Sequence, residues 1–379
     1  MRILVCPQEF KESLTARQAA DAIALGIRRA GADVGVDLAP MADGGPGTID
    51  AVLSSVKGER LKASVHDPLG HPHEAIWALL DDKTALIEMA EASGLALLRP
   101  EERDPHRTST YGTGELIRAA LDGGCRRLVV AIGGSATNDG GAGMAQALGA
   151  RLLDVAGDEL KPGGAALANL QRIDVSGIDP RLRSCQVVAA ADAVNPLLGP
   201  AGASLVYGSQ KGGTPEAVAE LESALQRYAD VVRRDLGVDV VSVIGAGAAG
   251  GLGAGLVAFM GARITSGAEF VAEAIGLAGR IEQADVVFTG EGRLDSQTAY
   301  GKAVAVVARL AKERGRPVAA FAGSVADDAD LVTLGLDAAV PIAKGPASRE
   351  EMFAKAEELL SSAAEQATRL LLLGRSFAG

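Results

Sequence analysis

The chain has 379 residues, more than one hydrophobic core usually serves, so two domains are expected. A net charge of −11 argues against a nucleic-acid binder, which needs a cationic face, but leaves room for an anionic small molecule gripped by local lysines. Three cysteines far apart (Cys6, Cys125, Cys185) and four histidines without ligand spacing argue against a disulfide framework or zinc knuckle and fit a reducing, cytoplasmic setting.

Hydrophobic residues make up 48% and aromatics only 3%, so alanine, valine and leucine must fill the core, with 48 glycines permitting close packing. Met1–Pro7 is too short in its apolar part for a signal peptide. Val241–Ala262 carries no charge, but it is crowded with glycine and alanine and lacks the large apolar run of a membrane span, so no membrane partner is expected.

In chain order, residues 2–6 read as a buried strand. Thr15 with Gln18 forms a capping box, Ala19, Ala22, Ile23 and Ile27 share one helix face, and Gly31 stops the helix. Residues 34–38 read as the next strand, so the chain starts in parallel α/β style. Between about 58 and 102, alternating runs at 61–65, 75–80 and 85–89 separated by tight turns read as hairpins. A helix is expected near 114–121, a buried strand at 127–132 and a helix from about 140 to 148. Residues 151–212 read as strands and loops. Thr214-Pro215 opens an amphipathic helix with Leu221, Leu225, Tyr228 and Val232 on one stripe. The βαβ rhythm resumes with a strand at 286–289, a helix at about 301–314, and strands at 318–322 and 338–341. A last helix starts at Ser348, with Phe353, Ala356, Leu360, Ala363, Ala367 and Leu370 expected on its buried stripe.

The fold class expected is α/β with two domains. A flavodoxin/Rossmann-like parallel-sheet domain is built from the chain ends (1–57, 103–150 and 270–379). A mixed α+β domain is inserted (58–102 and 151–269).

Several segments could carry chemistry. Thr289-Gly-Glu-Gly-Arg-Leu-Asp295 follows an apolar run. Glu291 and Asp295 could hold a divalent cation through hard oxygens, Arg293 could grip an anion, and Lys302 follows at the next helix start. Such parts suit phosphoryl transfer, where a protein mainly positions charge. Lys11 lies between a strand end and a helix start, a place that binds anions. A solvated lysine beside a cap is an equal reading. Asp43, in Ala42-Asp-Gly-Gly-Pro-Gly-Thr48, could orient a hydroxyl or simply satisfy a glycine turn. Ile132–Gly143 has the strand, glycine loop, helix layout of a phosphate cradle, with Gly133, Gly134, Gly140 and Gly141 baring amides and Ser135, Thr137 and Asn138 as donors. It lacks the ordinary Walker pattern. Asp192, at another strand end, could be a base or metal ligand, and Lys211 adds a cation, although both segments also read as surface loops. Gly245-Ala-Gly-Ala-Ala-Gly250 is a literal GxGxxG after a strand-like run, which keeps an NAD-dependent enzyme open, but no acidic ribose partner is well placed. Glu88–Gly94 and Thr108–Glu115 follow the hairpins. The hydroxyls of the second segment could cap a helix or meet a small polar ligand, with the cap the safer reading.

Taken in order, these segments resemble the bacterial glycerate kinase family of the first type (glycerate 2-kinases), over essentially the whole chain. The most specific stretches are GGSATNDGGAGMAQALGA (133–150), TSTYGTGELI (108–117), GAGAAGGLGAG (245–255) and TGEGRLDSQTAYGK (289–302). The resemblance implies ATP- and Mg2+-dependent phosphorylation of D-glycerate, with 2-phosphoglycerate the product in most members and 3-phosphoglycerate the older description. On that footing the 133–143 loop meets ATP phosphates and Glu291 and Asp295 hold magnesium. Lys11 and Lys302 serve catalysis, Arg293, Lys211 and Asn195 contact substrate, and Asp192 or Asp43 takes the hydroxyl proton. Gln8 stands where the family usually has aspartate, Pro46 where it has glutamate, and Ala193-Val194 where it has Val-Thr. These departures bear on substrate and rate more than on fold. A catalytically silent ligand-binding relative is a third possibility. The sequence leaves open the oligomeric state, a homodimer included.

Overall fold

The computed structural model describes residues 1–299 and 302–377. Tyr300 and Gly301, which belong to the 289–302 motif and to the expected start of the helix at 301, lie outside the described residues.

Thirteen strands are found among the described residues: β1 (Arg2–Val5), β2 (Gly35–Leu38), β3 (Gly58–His66), β4 (Pro72–Leu80), β5 (Thr84–Glu88), β6 (Arg127–Ala131), β7 (Arg151–Leu153), β8 (Arg172–Asp174), β9 (Gln186–Ala190), β10 (Arg263–Thr265), β11 (Val286–Leu294), β12 (Val318–Val325) and β13 (Ala338–Pro341). They divide between two compact units. The first comprises residues 1–43, 50–56 and 268–379, and the second residues 44–49 and 57–267.

The first unit holds a five-stranded sheet in the order β13-β12-β11-β1-β2, parallel throughout. Ile3, Leu4 and Val5 are fully buried because helices cover such a sheet on each face. The helix Ala16–Ala30 has the expected Thr15–Gln18 capping box and ends at Gly31. Its buried Ile23 and Ile27 belong to the same core as Ile3 and Val5. Gly26 is a poor helix former, but a Cβ there would meet the Ser361 carbonyl at 2.1 Å, so its absence lets this helix lie against Ala356–Phe377 backbone to backbone. The last helix differs from expectation. Ser348 does cap Arg349–Ala354 with Glu351, but the helix breaks at Lys355 and restarts at Ala356. Ala356 and Leu360 are buried as expected, but further on Ala364 and Thr368 take the buried positions, and Leu370 is 69% exposed.

The second unit holds a six-stranded mixed sheet, β10-β9-β6-β5-β4-β3. β3, β4 and β5 pair antiparallel as the hairpin reading required, and β5, β6, β9 and β10 are parallel. β7 and β8 form a separate antiparallel pair. The expected boundaries put 103–150 with the chain ends. Instead β6 hydrogen-bonds between β5 and β9, and the flanking helices Tyr111–Asp122 and Ala142–Ala147 share its core. An apolar strand alone does not say which sheet it will join. The run 240–244 is the other departure: it forms no strand and leads into turns before the helix Leu252–Met260. Among the described residues no helix is long and apolar enough to cross a membrane.

Candidate active site

The first unit carries a cavity of about 590 Å³ at the carboxyl ends of β1 and β11, where open parallel sheets bind ligands. After β1 the chain keeps to the side of β11. Cys6 N donates to Phe288 O and Gln8 N to Gly290 O, each at 2.8 Å. It then makes a tight reversal, with Phe10 and Leu14 exchanging two backbone hydrogen bonds and Glu12 at φ 65°. This reversal sets Glu9 and Lys11 on the cavity beside Gly292.

Glu9, Asp43, Glu291 and Asp295 line the cavity with Lys11, Arg293 and Lys302. The sequence motifs around Lys11, Asp43 and Glu291–Lys302 therefore meet, though they are remote in the chain. Glu291 is 8% exposed. Burial raises its carboxyl above the ordinary range, and the negative charges of Asp295 and Asp43 add to that, while the Thr298 hydrogen bond and Lys302 pull it back. Glu9 is likewise raised, first by burial and then by Asp43, with Lys11 opposing. Arg293 is largely exposed and reaches Asp295 Oδ2 at 3.3 Å. Further lining residues come from the distant segment after β13, Arg349 and Phe353 among them. Arg349 pairs with Glu12 at 2.8 Å and sits over the Phe353 ring, and both line the cavity. Nothing local in the sequence marks Arg349, because only the packing of the carboxyl-terminal helices brings it here.

Among the described residues no group of three or more His, Cys, Asp or Glu side chains forms a metal cage. Glu291 and Asp295 nevertheless suit magnesium, which takes one or two protein carboxylates and completes its shell with water and phosphate oxygens. The Glu291 carboxylate is held by Thr298 Oγ1, which donates to Oε1 at 2.7 Å.

The two glycines of this motif have different work. A Cβ on Gly290 would strike the Phe321 carbonyl at 2.4 Å, so Gly290 serves the contact between β11 and β12. A Cβ on Gly292 would find Lys11 N at 3.4 Å as its nearest neighbour, so this glycine leaves the cavity floor open.

In the second unit, the 133–143 loop corrects the expectation of a broad phosphate cradle. Only Gly133 and Gly134 have appreciable surface, and Ser135 is 9% exposed. Thr137, Asn138, Gly140 and Gly141 are buried. A Cβ on Gly141 would meet Gly255 Cα at 3.0 Å, and one on Gly250 would meet Thr137 O at 2.0 Å. Gly140 N also donates to Gly250 O at 3.0 Å. The 133–143 and 245–255 motifs are thus glycine-rich because their backbones interlock. With no strand before it, Gly245–Gly250 lacks the context of a dinucleotide-binding turn. Asp139 sits at the centre of this packing and accepts from Thr110 N at 2.8 Å, from the Thr110 hydroxyl, and from Gly141 and Gly143 amides. The hydroxyl that meets the start of the helix Tyr111–Asp122 is that of Ser109, which accepts from Tyr111 N at 3.2 Å, while Thr110 makes no side-chain cap. Its hydroxyl oxygen accepts instead from Met144 N at 2.9 Å.

Three further candidates take structural posts. Lys211, expected at substrate, is 2% exposed and donates to Thr137 O at 2.7 Å, which ties it to the buried loop. Its ammonium is pushed down to about 7, mainly by burial and against the pull of Asp139. Asn195 is used at each end of its amide, by Tyr207 Oη and by Ala201 O, both at 2.8 Å. Asp192 Oδ1 accepts from Ser266 Oγ at 2.7 Å and Gly267 N at 2.8 Å, bracing the turn after β10. Pro46 is exposed on a separate, smaller cavity of this unit, with Lys62, Glu88 and Glu91.

Comparison with known proteins bears on the family. The profile of the glycerate kinase family matches residues 3–372. The chain is 47% identical to a glycerate kinase of Halalkalibacterium halodurans over 96% of each chain. It is 45% identical to a glycerate 2-kinase of Escherichia coli K12 over 100% of each. A crystal structure assigned to glycerate kinase 2 of Salmonella typhimurium LT2 superposes with a TM-score of 0.87 at 45% identity, covering 99% of each chain.

Proposed function

The chain belongs to the glycerate kinase family, and on that premise we propose that it transfers the γ-phosphoryl group of ATP to the 2-hydroxyl of D-glycerate. A kinase requires a nucleotide co-substrate. The observation that carries the reading is the meeting of Lys11, Asp43, Glu291, Asp295 and Lys302 on one cavity. The choice of the 2-hydroxyl follows the E. coli relative, which bears the name glycerate 2-kinase.

In this reading Asp43 takes the proton of the attacking hydroxyl, since it lines the cavity while Asp192 Oδ1 braces a turn. Lys11, Lys302 and Arg293 orient the glycerate carboxylate and balance charge on the migrating phosphoryl group. Glu291 and Asp295 would hold Mg2+, which when bound neutralises phosphate charge. Gly134 and Ser135 are the proposed contacts to nucleotide phosphate, since the Gly133 amide already donates to Gly44 O at 2.8 Å.

Phosphorus NMR of ATP with Mg2+ and D-glycerate tests this. The expected spectrum shows ADP and the 2-phosphoglycerate resonance growing together. ATP left intact would remove the kinase reading. A 3-phosphoglycerate signal would remove the isomer alone.

A further inference from the structure

Gln8 lies three residues past the end of β1 and lines the cavity with Asp43. The residue is 4% exposed, and its main-chain N–H is fixed on Gly290 O. Its Nε2 donates to Asp43 Oδ2 at 2.7 Å. Chemistry dictates which way the amide faces: a carboxylate only accepts, so the amide nitrogen must point at Asp43. The other end, Oε1, is closed off from water and finds no hydrogen-bond partner among the described residues. A buried acceptor left without a donor destabilises a fold, and such a group in a native structure calls for a reason.

The surroundings of Asp43 supply one. Glu9 and Glu291 lie close enough for their charges to act on it, and each carboxyl is raised in part by that interaction. Lys11 balances Glu9, and Lys302 balances Glu291. A carboxylate among other carboxylates is driven to turn away from them. A neutral donor can hold it without adding another negative charge. An aspartate at position 8 would add one.

We propose that Gln8 is a positioning residue of the phosphoryl-transfer site, whose amide fixes the Asp43 carboxylate in the orientation that receives the substrate hydroxyl proton. The proposal rests on the reading of Asp43 as the base.

Asp43→Asn, Gln8→Met and Gln8→Glu test it through kcat, KM for D-glycerate and thermal unfolding. Methionine keeps the length of the side chain and lacks the donor, and glutamate keeps the shape and replaces the donor with a charge. Asp43→Asn is expected to abolish turnover. Gln8→Met is expected to lower kcat about 10- to 100-fold, the range for a lost hydrogen bond to a charged group, with KM within about threefold and Tm not lowered. Gln8→Glu should lose at least as much. If Asp43→Asn is inactive but both Gln8 variants keep kcat within about twofold, or lose only in KM, the proposal falls and the role of Asp43 stands. A kcat loss in Gln8→Met that comes with a collapse of Tm and is absent from Gln8→Glu assigns Gln8 to packing and also overturns it. Near-parental turnover in Asp43→Asn removes the base assignment and this inference with it.

Discussion

Thr298 Oγ1 donates to Glu291 Oε1 at 2.7 Å and accepts from Asp295 N at 3.2 Å, so one hydroxyl ties together the two carboxylate residues of the motif. The threonine is fully buried, which fixes the Glu291 carboxylate from behind.

Thr298→Val should therefore weaken metal use more than folding. Loss of a hydrogen bond to a charged acceptor predicts a fall of about tenfold in kcat/KM at low Mg2+, recovered in part as Mg2+ is raised. Steady-state rates across a magnesium titration check this. Parental rates at every concentration would show that Thr298 does not serve the metal.

Lys302→Ala and Asp295→Ala should each lower turnover by roughly two to four orders of magnitude, the range for removing a group that balances charge in the transition state. Both residues lie at the cavity rather than in a core, so unfolding temperatures should change little. Near-parental turnover in both variants would refute their placement in the reaction.

Gly290→Ala and Gly292→Ala should separate stability from function. The first forces a methyl into the Phe321 carbonyl and should cost about 1–3 kcal/mol in denaturant unfolding. The second has room and should leave stability within about 0.5 kcal/mol, while its methyl narrows the cavity and raises KM. Equal destabilisation by the two would contradict the packing around β11 and β12.

Lys211 gives stability a pH dependence of known sign. Its ordinary value of 10.5 is pushed down to about 7 in the folded chain, first by burial. Between those two values the unfolded chain binds more protons than the folded one, so stability rises with pH across that window. Below about pH 7 the folded state must charge a buried ammonium, and the gain is gone. Lys211→Met removes the titrating group, so the rise in urea midpoint from pH 6.5 to pH 9 should flatten in this variant. An unchanged slope would show that Lys211 is charged throughout.

Much of this protein was legible because helix and strand signals are local. The Thr15–Gln18 and Ser348–Glu351 capping boxes, the Thr214 cap and the hairpins of β3 to β5 all stand where patterning put them. The resemblance of the ordered motifs pointed to the family that the comparisons show. The glycine-rich motifs were harder. Glycine that bares an amide to phosphate and glycine that lets two backbones touch look alike in one dimension, and Gly141 and Gly250 prove to be of the second kind.

The amino-acid order by itself determined most of the element types, the α/β class and the family, since periodicity, caps and motif order are properties of neighbours along the chain. Only the tertiary structure decided that β6 joins the mixed sheet, that Lys211 is interior, and that Gln8, Asp43, Glu291 and Arg349 share one cavity. Those outcomes depend on which surfaces exclude water together, and burial is settled by partners that lie hundreds of residues away.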